Sequence, residues 1–457
     1  MRSIVIHKSK NSMDMLNGSL VDKLIMFAMP IAITSTLQQL FNSADIVVCG
    51  RFVGHVALAA VGANAQIINL FINTFLGLSV GANVMIANYI GAGKTHKIYN
   101  VVHTAMTFAI IFGVALMVLG LFFSRNILVF LGTPEEILVP SILYLRIIFI
   151  GMPFMVVYNF GAAILRSIGD TKRPLILLAI TGTLNVILNI FFVIAFKMGV
   201  AGVALATLIS SAISAISVVI ILAKEKSDVK YYPGRFMIVK DSLYKIMIIG
   251  VPSAIQGIVF SVSNLCVQTA INSLGTKTIA ASTAAFNLEC FPYFMISAFS
   301  SACLTFMSQN YGAENFDRSK KVVKDCLLLS IISSGLLIAL IVFFARELLG
   351  IYTTDKEVIE IAMVRMMVVC SLNWISSFYE VLSAALRVMK HPILPAVMVV
   401  IGTVIFRFIW ILTVFPYFKT FFMIVVAYPI SWMIINIPMT ISYFRVSKEE
   451  LRKKVNA

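Results

Sequence analysis

Long apolar runs constrain the fold of this chain more than any other feature of its sequence. Each run lasts about 20 residues or more, which is the length that an α-helix needs to cross the hydrocarbon core of a bilayer. Only 12% of the residues are charged, about half of the roughly 25% that is typical of soluble domains. Outer-membrane barrels have alternating segments of about ten residues instead. The sequence therefore predicts an all-α integral membrane protein.

Twelve such runs can be counted, and the Lys and Arg residues between them are distributed unevenly. One set of loops, together with both termini, carries 26 of the 36 Lys and Arg residues, including Arg2, Lys8 and Lys10, whereas the opposite set carries seven. Because loops rich in Lys and Arg stay in the cytoplasm, we expect both termini to be cytoplasmic, which agrees with an even number of spans. The expected location is the plasma membrane, most simply a bacterial inner membrane.

The two halves of the chain resemble each other at an offset of 221 to 222 residues. Asn42 matches Asn264 at an offset of 222, and Gly91 matches Gly312 at an offset of 221. A single one-residue gap between Asn42 and Gly54 accounts for the change. Such self-similarity is the sequence signature of an internal duplication.

The duplication predicts twelve transmembrane helices in two pseudo-symmetric six-helix lobes around a central cavity. The N-lobe covers residues 1–223, the polar stretch 224–241 is a cytoplasmic linker, and the C-lobe covers residues 242–457 with a cytoplasmic tail. Duplicated bundles of this kind are typical of transporters, whose halves expose a central site alternately to the two sides of the membrane. The alternative is a duplicated scaffold without a transport pathway, and buried polar groups distinguish the two.

Few acids fall well within the apolar runs, where an ionisable group is costly unless it is paired or hydrated. They are Asp45, Glu289 and Glu380. Asp45 shares one face of the first helix with Gln38 and Asn42, because the three residues follow helical spacing. We expect Asp45 and Glu289 to be functional, whereas Glu380 is either functional or neutralised by a nearby arginine.

Uncharged polar residues form similar rows on other N-lobe helices. Gln66 and Asn69 lie on the second helix, Asn185 and Asn189 on the fifth, and Thr207 on the sixth. If these rows face inward, they line a wet cleft that contains one carboxylate. The alternative is interhelical hydrogen bonding, which such side chains often provide in membranes. Arg146 and Arg365 lie toward the outer ends of their spans, where snorkelling to the interface is the simplest interpretation.

A carboxylate in a partly dehydrated cleft can carry a proton, or it can hold Na⁺ together with Asn and Thr oxygens. Its occupancy then biases the balance between inward-facing and outward-facing states. A cationic substrate would compete for the same negative site, which produces exchange.

Several segments resemble the multidrug and toxic compound extrusion (MATE) family, in register over nearly the whole chain. They are Asn42–Asp45, Gly50–Gly54, Leu165–Pro174, Met198–Thr207 and Ser308–Ala313. The resemblance implies a twelve-helix, two-lobe antiporter that expels cationic or amphipathic compounds in exchange for H⁺ or Na⁺. It implies no cofactor beyond the coupling ion.

The resemblance also implies where the coupling cation binds. In prokaryotic members an acid on the first helix binds it, helped by polar residues on the fifth helix and a Thr on the sixth. By position these roles fall on Asp45, Asn185, Asn189 and Thr207, with Na⁺ at Asp45 as the one possible metal ion. Some relatives carry Asp where this chain has Asn189, and Tyr where it has Phe41.

The remaining polar candidates belong to a substrate cavity or a second coupling site. They are Gln38, Asn42, Gln66, Asn69, Asn264, Glu289 and Glu380. The expected partners are small cationic or amphipathic molecules and membrane lipids, not nucleic acid, and the protein is expected to be a monomer. The alternative function is a flippase for lipid-linked saccharides, whose pyrophosphate favours a cationic cavity. An enzyme is not expected, because the sequence contains no P-loop, metal motif or nucleophile with its base.

Overall fold

Apolar helices of membrane-spanning length account for most of the structure, a computed structural model that describes residues 12–455. Within that range, twelve helices are long and apolar enough to cross a bilayer. A helix satisfies its own backbone N–H and C=O groups, as the hydrocarbon core requires. The prediction of twelve spans is therefore confirmed. Arg2, Lys8 and Lys10, which were counted for the topology, lie outside the described residues.

The spans are labelled α1 to α12 in chain order. They are α1 Val21–Val53, α2 Val56–Gly91, α3 Thr95–Phe130, α4 Glu135–Ser167, α5 Lys172–Ala195, α6 Val200–Lys224, α7 Lys240–Asn272, α8 Thr276–Gly312, α9 Phe316–Phe343, α10 Lys356–Val388, α11 Ile393–Phe418 and α12 Phe421–Glu450. A short helix, Ala345–Gly350, lies between α9 and α10.

The chain forms two compact units. One consists of Ile33–Ala254 with the segment that ends at Asp14, and the other consists of Met15–Ala32 and Ile255–Ala457. The core of the first unit is built from apolar side chains of α2, α3, α4 and α6. A core of the second unit lies between α8, the end of α9, the short helix and α10.

Large apolar side chains also remain on the outside of the helices. Phe122 is 75% exposed, Phe130 88% and Phe343 80%. Apolar surfaces of this kind mark contact with membrane or protein, and on helices of spanning length they face lipid. The chain is a multi-pass membrane protein.

Four spans contain a π-helical segment, a turn that accommodates one extra residue within a helix. The segments are Cys49–Val53 in α1, Phe191–Ala195 in α5, Met366–Cys370 in α10 and Val400–Ile405 in α11. The segment in α1 lies between Asn42 and Gly54, where the repeat has its one-residue gap. The extra residue of the N-lobe is thus absorbed as a π-turn.

Polar contacts with α3 hold the linker that joins α6 to α7. The Nε2 atom of His103 accepts a hydrogen bond from the backbone N–H of Tyr232 at 3.1 Å. The Oγ1 atom of Thr104 accepts one from the backbone N–H of Val239, also at 3.1 Å. Because His103 is fully buried, this bond also gives its ring nitrogen a partner where water is excluded.

The start of the linker is fixed by an arginine of α5 that binds two buried carboxylates. Arg173 donates from Nη2 to Oε2 of Glu225 at 2.6 Å and from Nε to Asp170. Asp170 and Glu225 are only 3% and 4% exposed. Buried carboxylates are costly without a partner, so Arg173 ties the beginning of α5 to the end of α6.

Candidate functional site

Asp45 lies near the C-terminal end of α1, just before the π-turn, and faces α5. Phe41, one helical turn earlier, packs directly against Gly182. A Cβ atom at Gly182 would lie 2.0 Å from a ring carbon of Phe41. Only glycine permits this approach, which brings α1 close to α5 at the level of the acid.

Three further polar side chains connect to Asp45 in a chain of hydrogen bonds. Asn189 donates from Nδ2 to Oδ1 of Asp45, and the same nitrogen lies 3.3 Å from Oδ1 of Asn185. Asn185 in turn donates from Nδ2 to Oγ1 of Thr207 at 3.3 Å. The structure therefore brings together the four residues predicted for the coupling cation, from α1, α5 and α6.

The amide of Asn185 has a second orientation that fits its surroundings. When the amide is turned over, its nitrogen donates to Oδ1 of Asp45 at 2.9 Å and its oxygen accepts from the backbone N–H of Thr207 at 3.2 Å. An ionised carboxylate only accepts hydrogen bonds. In this orientation Asp45 is bound by two amide donors, one from each asparagine.

The side-chain oxygen of Asn189 differs from the other polar atoms of this group. Asn189 is fully buried, and its Oδ1 atom lacks a hydrogen-bond partner among the residues that the structure describes. A buried acceptor without a partner costs about 1–3 kcal/mol. Oxygen atoms are the ligands that hard cations prefer, and this carbonyl accompanies the carboxylate of Asp45. The arrangement can hold a proton on Asp45 or a small cation.

The other uncharged candidates are placed differently. Gln38 and Asn42 on α1, and Gln66 and Asn69 on α2, have exposed side chains, whereas Asn264 on α7 is half-buried. Their assignment to a substrate cavity stays a prediction.

In the C-lobe, Glu289 of α8 forms a buried ion pair with Arg365 of α10. Arg365 donates from Nε to Oε2 at 3.0 Å and from Nη2 to Oε1, while its Nη1 donates to Ser282 at 2.8 Å. Glu289 is 7% exposed and Arg365 is 3% exposed. The prediction that Arg365 snorkels is wrong, because its guanidinium lies inside the helix bundle against a carboxylate. A role for Glu289 in a second site stays a prediction.

Glu380 of α10 has a different partner. The hydroxyl of Tyr293 on α8 donates to Oε1 of Glu380 at 3.0 Å. Tyr293 follows Glu289 by one turn in sequence but binds the other acid. Glu380 is half-buried, and its role in a second site also stays a prediction.

Sequence reasoning missed Gly182, although a signal was present. A glycine within a helix costs about 1 kcal/mol relative to alanine, so a glycine in a spanning helix calls for a packing reason. Gly182 lies three residues before Asn185 and seven before Asn189, on the same helical face. That spacing indicates a close approach of another helix beside the two asparagines.

Comparison with known proteins places the chain in a family. The family model MatE matches residues 30–191 and 252–412. The probable multidrug resistance protein YoeA of Bacillus subtilis is 29% identical over 379 residues, which cover 81% of this chain and 82% of the relative. The probable multidrug resistance protein NorM of Thermotoga maritima is 28% identical over 376 residues, covering 80% and 79%. The multidrug export protein MepA of Staphylococcus aureus is 24% identical over 340 residues, covering 74% of each.

Solved structures have the same fold. An outward-facing multidrug resistance MATE family transporter of the MOP superfamily superposes with a TM-score of 0.88 at 20% identity, covering 96% of this chain and all of the other. A MOP superfamily transporter from Pyrococcus furiosus gives 0.85 at 20% identity, covering 98% of both. Because the family model matches both lobes and well over half of the sequence, this chain belongs to the MATE family of transporters.

Proposed function

We propose that this protein is a secondary active multidrug efflux antiporter, which exports cationic or amphipathic small molecules in exchange for H⁺ or Na⁺ by alternating access. Relatives from Bacillus subtilis and Thermotoga maritima are named probable multidrug resistance proteins, and one from Staphylococcus aureus is named a multidrug export protein. The protein acts as a monomer in the bacterial inner membrane, with both termini in the cytoplasm and without a cofactor.

The observation that carries the proposal is the hydrogen-bonded chain from Asp45 through Asn189 and Asn185 to Thr207. It contains one acid, so its charge changes by one when a proton or a cation binds. The Oδ1 atom of Asn189, which has no hydrogen-bond partner among the described residues, supplies a neutral oxygen beside that acid. A half-buried carboxylate with such a neighbour is suited to reversible cation binding.

Occupancy of the acid changes the hydrogen bonds around it. Ionised Asp45 accepts from Asn189, whereas a protonated carboxyl group becomes a donor. A side-chain amide has an N–H donor on one side and a C=O acceptor on the other. When Asp45 changes from acceptor to donor, the amide groups of Asn185 and Asn189 therefore rotate by about 180° to present the matching atom. The change thereby passes from α1 to α5 and α6. The π-turns that follow Asp45 and Asn189 are points where these helices can adjust.

The test is efflux of a fluorescent cation, ethidium, from proteoliposomes in which pH and Na⁺ gradients are imposed separately. We expect wild-type protein to accelerate efflux when one of the two gradients is imposed. We expect Asp45→Asn to reduce gradient-driven efflux to the level of empty vesicles, because the variant keeps the shape of the side chain but cannot change its charge.

Asp22→Asn is the matched control. Asp22 lies on the same helix, is exposed and accepts a hydrogen bond from Ser19, so its loss should leave coupled efflux unchanged. Full gradient-driven efflux by Asp45→Asn would overturn the assignment of the coupling site. Failure of wild-type protein to move the cation under either gradient would overturn cation antiport itself.

A further inference from the structure

The N-lobe residues Asp45, Asn185, Asn189 and Thr207 form the Asp45 cluster. The internal repeat gives this cluster a counterpart in the C-lobe, whose positions follow from the repeat offset. The π-turn Val400–Ile405 adds one residue to α11, so the offset beyond it is 222 and Asn185 corresponds to Arg407. Helix α6 begins at Val200 and α12 at Phe421, so the offset there is 221 and Thr207 corresponds to Tyr428. The C-lobe counterpart therefore contains an arginine and a tyrosine.

The acid of the N-lobe has no equivalent in this counterpart. Before the π-turn of α1 the offset is 222, as the match of Asn42 with Asn264 shows. Asp45 then corresponds to Val267, an apolar side chain that is 1% exposed. The N-lobe cluster therefore carries one negative charge, on α1, whereas its C-lobe counterpart carries a positive one, on α11.

Arg407 is fully buried, the largest such side chain among residues 12–450. It donates from Nε and Nη2 to Oγ of Ser431 at 3.1 and 2.9 Å, and from Nη1 to Oγ of Ser263 at 3.4 Å. A guanidinium has five N–H donors, so two of them have no acceptor in the part of the chain that the structure describes. Among the ion pairs of the described residues, none involves Arg407.

The acid in this neighbourhood is already engaged. Glu289 holds Arg365 through two hydrogen bonds. The guanidinium carbons of Arg365 and Arg407 lie 5.3 and 4.2 Å from the centre of the same ring, that of Tyr428. Among the described residues, two arginines therefore share the single negative charge of Glu289, which is in direct contact only with Arg365. A buried positive charge is strongly unfavourable without a close partner.

We propose that the C-lobe binds a small monovalent anion, of the size and charge of chloride, at Arg407. The anion supplies the missing charge and an acceptor for the two remaining N–H groups. Full burial of the side chain excludes a large anion such as a nucleotide or a lipid headgroup. The proposal does not depend on cation antiport, since the residues that carry it lie on α7, α8, α10, α11 and α12.

The first test is thermal unfolding of the purified protein in detergent, followed by tryptophan fluorescence. The three tryptophans, Trp374, Trp410 and Trp432, all lie in the C-lobe, so the signal reports that lobe. A ligand that binds only the folded state raises the unfolding midpoint as its concentration rises. We expect chloride to raise the midpoint relative to gluconate at the same sodium concentration and ionic strength. Equal midpoints in the two salts would overturn the proposal.

The second test is equilibrium dialysis with radioactive chloride. We expect saturable binding to the wild-type protein and its loss in Arg407→Met. Arg146→Met is the matched control, because Arg146 is an exposed arginine within α4, and it should bind as the wild type does. Saturable binding that survives in folded Arg407→Met would place the anion elsewhere and overturn the assignment.

Two further variants keep the outcome decisive. If Arg407→Met does not fold, Arg407→Lys retains the charge with a shorter reach, and we expect it to bind chloride more weakly than wild type. Unchanged binding by Arg407→Lys would then contradict the proposed contact. Asp45→Asn should retain full chloride binding whether or not it transports, which separates failure of this proposal from failure of the antiport proposal.

Discussion

Replacement of Glu289 by glutamine tests whether the C-lobe depends on its buried ion pair. The change keeps the size of the side chain but removes the charge that faces Arg365. Removing one partner of a buried pair typically costs about 3–5 kcal/mol, because the other charge is left uncompensated. The exposed fractions of 7% for Glu289 and 3% for Arg365 place the pair among fully buried cases.

The contacts that remain to Arg365 set the expected size of the effect. Its bond to Ser282 at 2.8 Å persists, and the rings of Phe286 and Tyr428 lie 5.5 and 5.3 Å from its guanidinium carbon. Each such contact contributes on the order of 1 kcal/mol. We therefore expect Glu289→Gln to lower the free energy of unfolding by about 3 kcal/mol, at the lower end of the range for buried pairs.

The assay is reversible unfolding by SDS in mixed lipid–detergent micelles, with an exposed ion pair as the reference. Arg346 donates to Glu360 at 2.6 Å, and the two side chains are 63% and 57% exposed. Exposed pairs contribute about 0–1 kcal/mol, so Glu360→Gln should have little effect. If Glu289→Gln costs no more than Glu360→Gln, the reasoning about the buried charge is refuted.

A double variant separates structural neutralisation from a transport role of Glu289. Replacing a whole buried pair with uncharged side chains of similar volume is often nearly neutral. We expect Glu289→Gln combined with Arg365→Met to recover most of the lost stability. Restored efflux in this variant would show that Glu289 is a structural counter-charge. Restored stability without efflux would support its predicted place in a second site.

Three further outcomes follow from contacts in the N-terminal unit. Gly182→Ala places a methyl group against the ring of Phe41, so it should lower the free energy of unfolding by about 1–3 kcal/mol and reduce ethidium efflux. Adding Phe41→Leu should restore both stability and efflux. Arg173→Gln removes the guanidinium that binds the buried carboxylates of Asp170 and Glu225 and should lower the free energy of unfolding by about 3 kcal/mol in the SDS assay. His103→Phe keeps an aromatic ring but removes the acceptor for the linker, so trypsin should cleave within residues 225–239 a few-fold faster, and an unchanged rate would contradict the role given to His103.

The number of helices and their duplication could be predicted because both are local properties of the sequence. An apolar run has a length, and a repeat has an offset, regardless of how the helices pack. The partners of charged residues are different. Arg365 and Glu289 are 76 positions apart, and only the packing of α10 against α8 brings them together. Snorkelling was the reasonable expectation for Arg365 considered alone, and the ion pair contradicts it.

The Asp45 cluster could be predicted from the sequence only in part. Helical spacing correctly grouped Asn185 with Asn189 on α5, and it grouped Gln38 and Asn42 with Asp45 on α1. Spacing, however, gives only the direction of a side chain relative to others on the same helix. The structure buries part of Asp45, close to the contact between Phe41 and Gly182, and leaves Gln38 and Asn42 exposed.

The one-residue gap in the repeat coincides with the π-turn of α1. A residue gained within a continuous helix must either shift the phase of everything beyond it or be absorbed in a π-turn, and π-turns are frequent at functional sites. The π-turns begin four residues after Asp45, two after Asn189 and one after Arg365, and another ends two residues before Arg407. In both lobes, therefore, the helix widens beside the buried polar groups. A one-residue mismatch between duplicated membrane helices thus indicates where such groups lie, even when the groups themselves have opposite charge.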